Sequence, residues 1–250
     1  MRVLGIDMGS REVKIALMED GKLVFKKKVS TMAFYRDYCS YDGKILVDED
    51  KLGCGPFDVG ISTGYGKNNT DLKRFKSINE IKAHAYGGIH QLRSDNFLLL
   101  DIGGQDVKVI QVENGLVIDL DLNDKCAASC GRYLENMAQV LEVDMDTLKK
   151  HHKDPVHLNS TCAVFSESEL IGKIAEGVTT EVLCASVNYS LYRRLRPLLS
   201  GFKSRSLVMA GGVSQNLAIK MYLQEDYEEV VTLDDPQFNG AIGCCIYGGR

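Results

Sequence analysis

The sequence has no long apolar run. The apolar stretch Phe97–Leu100, in a segment that is predicted to be a strand, is far shorter than the ~20 residues that a membrane-spanning helix needs. The chain also starts directly with a strand-like segment at residues 3–7, without the charged and then apolar segment of a secretion signal. We therefore expect a soluble protein of the cytoplasm.

Basic clusters are also missing. The longest basic run is Lys26–Lys28, and 30 basic against 34 acidic side chains give a formal net charge of -4. Because a nucleic-acid-binding protein normally presents a basic patch, that class is disfavoured. The 250 residues are 44% hydrophobic and 26% charged, which excludes a disordered or fibrous chain. This length suits one large domain or two lobes.

No two cysteines have the CxxC spacing, although the chain contains eight cysteines. This absence counts against a zinc ribbon and against a thioredoxin-type site. In a cytoplasmic chain of this length, cysteines indicate metal ligation, redox chemistry or simple burial. Cys184 lies in a helical pattern, and Cys244 and Cys245 lie in an apolar helix, so we predict that these three pack in the core.

An internal duplication is the most informative feature of the sequence. Shifted by 94 positions, the segment 4–24 aligns without a gap on the segment 98–118, with seven identities. Each copy predicts a buried strand that ends in aspartate, a glycine turn, a second strand, a turn at Glu-Asp-Gly or Glu-Asn-Gly, and a third strand. We infer two lobes, each built around one copy of this motif.

The repeated turns have the chemistry of a phosphate and metal site. The aspartate at each strand end, Asp7 or Asp101, offers a carboxylate to Mg²⁺, and the turn that follows offers backbone N–H groups to phosphates. Two such turns facing each other would clamp a triphosphate and its metal. We predict that the phosphates are held by Gly9, Ser10, Gly103 and Gly104. Lys14 and Lys108 also repeat, but both follow a hairpin turn, and we expect them to be solvated.

Capping patterns place several helices. The boxes Ser77-x-x-Glu80 and Ser166-x-x-Glu169 predict two helix starts, the second a few residues after Cys162. A short helix is predicted near residues 46–52, and a long helix is predicted over about residues 179–196.

A glycine pair near the end of the chain predicts a ligand contact. A strand at residues 206–210 runs into this pair, and a helix is expected to begin near Ser214. Glycine at such a turn lets the backbone approach a flat ligand such as adenosine. We predict that adenosine is contacted by Gly211, Gly212 and Asn216.

Cys126 and Cys162 share one setting, because each lies in a short polar segment just ahead of a predicted helix. The helix dipole and free N–H groups there favour a thiolate or an anionic iron–sulfur cluster. A cluster needs four thiolates, so two such pairs could meet across a twofold dimer. The residues alone leave three other possibilities open: a site within one chain that recruits Cys130 and Cys184, another redox or metal role, or burial.

Together these motifs resemble the BadF/BadG/BcrA/BcrD ATPase family, and especially the activators of 2-hydroxyacyl-CoA dehydratases. The similarity follows nearly the whole chain in order, and its two cysteine motifs are the most specific part. The motifs are GIDMGS (5–10), TGYG (63–66), EIKAHA (80–85), DIGGQD (101–106), NDKCAA (123–128), STCAVF (160–165), AGGV (210–213) through Asn216, and DPQF (235–238).

The resemblance implies a two-lobed α/β fold of the acetate kinase, sugar kinase, Hsp70 and actin type, with ATP in the cleft between the lobes. We place the lobes at residues 1–92 and 93–250 and expect the helix at 238–248 to pack on the N-terminal lobe. By analogy with other nucleotide hydrolases, Gln105 is our candidate to orient the attacking water beside Mg²⁺.

The resemblance also implies a homodimer that holds one [4Fe–4S] cluster through Cys126 and Cys162 of each chain. Such activators take an electron from ferredoxin or flavodoxin, and ATP hydrolysis drives its delivery to a partner iron–sulfur enzyme. The partner would be a 2-hydroxyacyl-CoA dehydratase, a double-cubane cluster reductase or an aryl-CoA reductase core.

The chain departs from the family at one motif. The family usually has Cys-Ala-Ala-Gly-Thr-Gly-Arg-Phe, whereas residues 126–133 are CAASCGRY. Ser129 replaces a glycine and reduces backbone freedom, and Cys130 adds a thiol that we expect to lie outside the ligand set.

Two other functions are compatible with the motifs. A small-molecule kinase of the same superfamily would phosphorylate a sugar or a carboxylate without a cluster, with Asp106, Asp121 or Asp124 as its catalytic carboxylate. That function leaves the two cysteine segments without a role. A non-catalytic nucleotide-binding regulator would not need the aspartates and Gln105.

Overall fold

The structure is a computed structural model that describes residues 1–41, 45–64, 70–71, 75–123, 127–160 and 162–250. Its packing divides the chain into two compact units. Unit 1 consists of residues 1–96, 112–117 and 233–250, and unit 2 consists of residues 97–111 and 118–232. The lobe boundary after residue 92 stays a prediction, because packing does not by itself establish which piece folds alone.

The described strands are β1 (Arg2–Met8), β2 (Glu12–Glu19), β3 (Lys22–Ser30), β4 (Cys39–Tyr41), β5 (Ile45–Val47), β6 (Val59–Gly64), β7 (Thr70–Asp71), β8 (Phe75–Ser77), β9 (Phe97–Ile102), β10 (Val107–Glu113), β11 (Leu116–Asn123), β12 (Ser206–Ala210) and β13 (Glu229–Thr232). The described α-helices are α1 (Thr31–Asp37), α2 (Glu49–Leu52), α3 (Glu80–Leu92), α4 (Gly131–Val140), α5 (Met145–Leu148), α6 (Ala163–Ala175), α7 (Thr180–Leu199), α8 (Leu217–Asp226) and α9 (Asn239–Gly248). None of these helices combines the length and apolar character needed to cross a membrane.

The two large sheets have the same topology, which confirms the duplicated motif. One sheet has the order β3-β2-β1-β6-β8 and the other has the order β11-β10-β9-β12-β13. In the first, β1 is antiparallel to β2 and parallel to β6; in the second, β12 is parallel to β9 and β13. Because β1 and β9 are the central strands, both aspartates lie near the carboxyl end of an inner strand.

The second turn of each copy also repeats in its backbone conformation. Asp20 and Gly21 have φ values of 48° and 78°, and Asn114 and Gly115 have φ values of 50° and 73°. Two successive left-handed residues form the tight turn whose twist matches a β-hairpin, and Asp-Gly and Asn-Gly are the pairs that favour it.

Unit 1 buries apolar side chains on both faces of its sheet. On one face, Ala241, Ile242 and Cys245 of α9 pack with Val3 and Ala83. On the other face, a separate cluster contains the inward side chains of β1 and β2 together with Phe34 and Leu52. Unit 2 has one large cluster formed by β9, β10, β12, α4, α7 and α8.

Several predicted helix ends are wrong. Helix α3, the first of the two helices predicted from a Ser-x-x-Glu pattern, begins at Glu80. Asn79 rather than Ser77 is its N-cap, because the Asn79 side chain accepts hydrogen bonds from the backbone N–H groups of Ile81 and Lys82. The helix predicted near residues 46–52 is divided between strand β5 and the short α2. Helix α7 continues past Arg196 to Leu199, with Pro197 inside its last turn.

Candidate functional site

Asp7 lies near the end of β1. In the strand register it is opposite Lys14 of β2 and Thr63 of β6. Only 5% of Asp7 is exposed. The turn that follows is closed by Thr31, whose Oγ1 donates to the carbonyl oxygen of Gly9 at 2.8 Å. A Cβ at Gly9 would lie 2.7 Å from the carbonyl oxygen of Glu12, so this turn requires glycine. The adjacent Ser10 is exposed.

Helices α3 and α9 bring further titratable groups near Asp7. A Cβ at Gly240 would lie 2.7 Å from Asp7 Oδ2 and 3.4 Å from His84 Nε2, so both groups border this glycine. His84 is buried, and its Nε2 lies 3.9 Å from Glu80 Oε1. The sequence motif alone did not reveal that His84 borders the same glycine as Asp7, because that glycine belongs to α9, which is distant in sequence.

Asp101 repeats this buried position at the end of β9, with 4% of the residue exposed. The prediction that Lys108 is solvated is wrong: only 5% of it is exposed. Its Nζ lies 3.7 Å from Asp101 Oδ2 and donates to Asp106 Oδ2. The lysine therefore holds two carboxylates at one turn, and its recurrence in the duplication was the signal that could have identified it.

The Gly211 turn of unit 2 lies against this aspartate. Gly211 has φ 80°, and a Cβ there would lie 2.8 Å from Asp101 Oδ1, so both the conformation and the close approach require glycine. A Cβ at Gly212 would meet no described atom within 4 Å. Asn216 caps α8 by accepting from Ile219, and its amide donates to Asn188 at 2.8 Å. Its side chain is therefore engaged within the protein.

The predicted phosphate turn of unit 2 is bonded to the first turn of α4. The backbone N–H of Gly131 donates to the Gly103 carbonyl oxygen at 2.9 Å, and that of Arg132 donates to the Gly104 carbonyl oxygen at 3.0 Å. The first-turn N–H groups of a helix have no partner within the helix, so they are available for such bonds. Gln105, the next residue of the turn, is exposed.

Cys162 is the N-cap residue of α6 and is exposed. The helix begins at Ala163, so the predicted start at Ser166 is wrong. Instead of forming a capping box, Ser166 Oγ donates to the Cys162 carbonyl oxygen at 3.0 Å. Glu169 accepts from the backbone N–H groups of Asn159 at 2.7 Å and Ser160 at 2.9 Å. The Ser-x-x-Glu pair therefore anchors the segment before the helix.

The other predicted ligand, Cys126, lies outside the described residues, as do Tyr65, Gly66, Asp124 and Thr161. Cys130 caps α4 and is fully buried in the core of unit 2 with Tyr133 and Leu134. Cys184, Cys244 and Cys245 are buried in the core clusters, as predicted. Among the described residues, no three His, Cys, Asp or Glu side chains form a group that could hold a metal ion.

Known proteins resemble this chain along its whole length. The (R)-2-hydroxyglutaryl-CoA dehydratase activating ATPase of Acidaminococcus fermentans is 33% identical over 249 residues, which cover 98% of this chain and 95% of that protein. The structure of an activator of the 2-hydroxyisocaproyl-CoA dehydratase from Clostridium difficile, with bound ADPNP, matches with a TM-score of 0.85 and 30% identity, covering 99% of this chain and 94% of that chain.

A more distant structure shares the fold alone. A ROK family glucokinase from Streptomyces griseus, in complex with glucose and AMPPNP, matches with a TM-score of 0.61 at 12% identity over 100% of this chain and 99% of that chain. The predicted α/β fold of the sugar kinase and actin type is thereby confirmed.

The family resemblance inferred from the motifs is confirmed as well. The model of the BadF/BadG/BcrA/BcrD ATPase family matches residues 4–248, which is nearly the whole chain. Together with the relative that is 33% identical along its length, this match shows that the chain belongs to the BadF/BadG/BcrA/BcrD ATPase family.

Proposed function

We propose that the chain is an ATP-dependent activator: a homodimer that holds one [4Fe–4S] cluster and couples ATP hydrolysis to one-electron reduction of a partner iron–sulfur enzyme. The observation that carries this proposal is the pair of hydrogen bonds from the first turn of α4 to the Gly103-Gly104 turn. Through these bonds, the turn proposed to hold phosphate contacts the helix that follows the Cys126 segment. A kinase acting on a small molecule would not need this connection.

For ATP hydrolysis, Asp7 and Asp101 would hold Mg²⁺ through their carboxylates or through bound waters, as a hard cation prefers. Gln105 orients a water molecule for attack on the γ-phosphorus, and the bond from that phosphorus to the bridging oxygen breaks, giving ADP and phosphate. Lys108 keeps the Asp101 and Asp106 carboxylates at the turn.

The remaining nucleotide contacts are proposed from the same turns. Backbone N–H groups hold the phosphates at Gly9, Ser10, Gly103 and Gly104. Gly211 and Gly212 let the backbone approach adenosine. Asn216 stays a prediction as an adenosine contact, because its amide is engaged with Asn188 and Ile219.

The cysteine segments fit an iron–sulfur cluster in the type of ligand that they offer. Thiolates are the ligands of such clusters, and Cys162 is exposed where a second chain could reach it. We propose that the four ligands are Cys126 and Cys162 of two chains, with the buried Cys130 outside the set. When bound there, the cluster would carry one electron from ferredoxin or flavodoxin to the acceptor enzyme.

The acceptor that we propose is a 2-hydroxyacyl-CoA dehydratase. This assignment is supported by the names of the relatives, which are activators of such dehydratases. A double-cubane cluster protein or an acyl-CoA reductase component is the alternative acceptor, since either would take an electron in the same way.

Iron content and mass in solution test the proposal. We expect protein purified without oxygen to be a dimer with about two irons and two sulfides per chain, because one four-iron cluster is shared. Cys126→Ala and Cys162→Ala should each lose this iron. Cys184→Ala is the matched control, because that thiol is buried in the core of unit 2.

Hydrolysis is tested separately from the cluster. Gln105→Ala should lower Mg²⁺-dependent ATP hydrolysis by about a hundredfold while nucleotide binding is kept, because only the orientation of the attacking water is lost. A monomer that holds no iron after anaerobic reconstitution would overturn the electron-transfer function. The next experiment would then be a screen of small acceptors for phosphorylation.

A further inference from the structure

One side chain of unit 2 bridges the segments that adjoin the two predicted cysteine ligands. Arg194 of α7 donates from Nη1 to the Ala128 carbonyl oxygen at 3.1 Å and from Nη2 to the Ser160 carbonyl oxygen at 2.7 Å. Ala128 lies two residues after Cys126, and Ser160 lies two residues before Cys162. A single guanidinium group therefore joins the backbones of both segments.

The guanidinium group is itself held in place. Its central carbon lies 4.4 Å from the centre of the Tyr133 ring, and Tyr133 is fully buried in the core of unit 2. Stacking on a fixed aromatic ring limits the orientations of the guanidinium plane. Because α7 contributes many buried side chains to the same core, the bridge is anchored on a rigid element.

The Ser160 end of the bridge has additional support from α6. The Glu169 carboxylate accepts from the N–H groups of Asn159 and Ser160, and Ser166 donates to the Cys162 carbonyl oxygen. Arg194 connects this α6-anchored segment to the Ala128 segment at the start of α4. The backbone that leads into Cys162 is thus tied to the backbone that leads away from Cys126.

We propose that Arg194 is a positioning residue that sets the spacing of the two backbone segments that adjoin the predicted cysteine ligands. This inference rests on the proposed function, because the spacing matters for a cluster that both thiols ligate. Arginine suits this position because it stays charged at any accessible pH and directs several N–H donors in one plane. Lysine has a single flexible ammonium group and cannot span both carbonyls while stacked on the ring.

The experiment compares variants of the full chain at three positions: Arg194, Arg196 and Glu169. Arg194→Met keeps an apolar stem against Tyr133 but removes the donors, and Arg194→Lys keeps the charge without the planar fork. Arg196→Met is the matched control, since Arg196 lies on the same helix but is largely exposed and pairs with Asp226 at 3.3 Å. Hydrogen exchange is measured on cluster-free protein, and iron release to a chelator is measured on the reconstituted dimer.

We expect Arg194→Met to lower exchange protection by about tenfold in peptides covering residues 127–131 and 157–163, because each segment loses a hydrogen bond from a charged donor. Iron release should be about tenfold faster, and Arg194→Lys should restore little of either property. Arg196→Met should match the wild type. Glu169→Gln should loosen only the segment that precedes Cys162.

Three results would overturn the positioning role. The first is wild-type exchange and iron release in Arg194→Met, which would leave the proposed function intact. The second is a uniform loss of protection across unit 2, or failure of both Arg194 variants to fold, because either would make Arg194 a core-packing residue. The third is a wild type without iron, which would overturn the proposed function and the ligand-spacing role together.

Discussion

Lys108 is a buried cation between two carboxylates, and replacing it should be costly. Lys108→Met leaves Asp101 and Asp106 without this cation, and breaking a buried ion pair typically costs about 3 kcal/mol. We expect urea unfolding to show a loss of this size in the absence of metal. If Mg²⁺ binds beside Asp101, adding Mg²⁺ with ADP should raise the free energy of unfolding more in the variant than in the wild type.

The control for Lys108 is an exposed pair of the same chemistry. Lys149 donates to Asp146 at 2.6 Å, but the aspartate side chain is 75% exposed. Lys149→Met should therefore cost less than about 1 kcal/mol. Equal losses in the two variants would contradict the assignment of Lys108 to a buried ion pair with Asp101.

Gly240 gives a second residue-level prediction. Gly240→Ala places a Cβ against Asp7 Oδ2, so the carboxylate must move. If Asp7 holds Mg²⁺ as proposed, displacing its carboxylate by a fraction of an ångström or more should lower Mg²⁺-dependent ATP hydrolysis by about tenfold to a hundredfold. The measurement is the steady-state rate at several Mg²⁺ concentrations, with thermal unfolding recorded in parallel.

Gly172→Ala is the matched change, because a Cβ there meets no described atom within 4 Å. It should leave hydrolysis unchanged and stabilise α6 slightly, by about 0.5–1 kcal/mol. A Gly240→Ala protein with wild-type hydrolysis would show that Asp7 does not need its observed position.

The Glu169 carboxylate makes the segment before Cys162 sensitive to acid. Burial raises the pKa of Glu169, but hydrogen bonds from the backbone N–H groups of Asn159 and Ser160 outweigh burial and lower it below its ordinary 4.5. With a lowered folded-state pKa, the stabilisation is complete above about pH 5 and is lost as the pH falls through the folded-state value.

The stability difference between wild type and Glu169→Gln measures this effect. We expect about 1 kcal/mol at pH 7, the low end for bonds to a charged group, because the carboxylate is partly solvated. The difference should shrink toward zero as the pH falls below the folded-state pKa of Glu169. A difference that stays constant with pH would mean that the Glu169 charge is unimportant.

The residue-level predictions that succeeded and failed have different physical origins. The duplication predicted that Asp7 and Asp101 lie at equivalent strand ends, because local strand and turn patterns repeat in the sequence itself. It did not reveal that Lys108 is buried, since exposure on a hairpin depends on the elements that cover it. The approach of His84 to Asp7 was also hidden, because it needs α9, which is distant in sequence.

At the scale of elements, the first turn of α4 connects to the Gly103-Gly104 turn. Gly131→Pro removes the N–H that donates to the Gly103 carbonyl oxygen, yet proline is otherwise tolerated at the first position of a helix. We expect ADPNP with Mg²⁺ to protect residues 127–140 from hydrogen exchange in the wild type. The protection should be about fivefold smaller in Gly131→Pro.

Gly131→Ala controls for the steric effect of an added side chain, because a Cβ at this position would lie 3.1 Å from the Gly103 carbonyl oxygen. It keeps the N–H donor and should retain most of the nucleotide-dependent protection. If the alanine and proline variants lose protection equally, the hydrogen bond does not carry the coupling.

Helix starts show why element boundaries were hard to predict. Ser-x-x-Glu occurs at the start of α3 and within the first turns of α6, but neither serine caps its helix. At α3, Asn79 directly precedes the helix and forms the cap instead. At α6, the backbone already turns at Cys162, so Ser166 and Glu169 bond back to the preceding segment. The pattern identifies a polar pair, whereas tertiary contacts decide its partners.

At the scale of the whole molecule, unit 1 is assembled from separate stretches of chain. Removing residues 233–250 deletes α9 and exposes the apolar face formed by β1, β6 and α3. We expect slow-exchanging amides of residues 1–64 to become unprotected, while amides of α7 and α8 in unit 2 stay protected. Hydrogen exchange followed by mass spectrometry separates the two sets.

A point variant and a shorter truncation complete this test. Ile242→Ala should cost about 3 kcal/mol, because Ile242 is 98% buried in the same cluster. Removing only Gly249 and Arg250 should change little beyond the contact of Arg250 with Tyr86. Protection of residues 1–64 that survives the loss of α9 would show that unit 1 folds without it.

The overall architecture was predictable because it is encoded twice. Each copy of the motif specifies a strand order, a turn type and an aspartate position, and the two sheets confirm these features. The division of each unit into separate stretches of chain could not be predicted in this way, because no local sequence pattern indicates which helix packs on which sheet.

The return of α9 to unit 1 also has a consequence for biosynthesis. A ribosome translates residues 1–96 first, but the helix that covers β1 and α3 emerges only after all of unit 2. Unit 2 can therefore be complete while unit 1 still exposes the apolar surface that α9 will bury. We therefore expect unit 2 to fold before unit 1, the reverse of the usual order, and we expect chaperones that bind nascent chains to recognise the sheet containing β1.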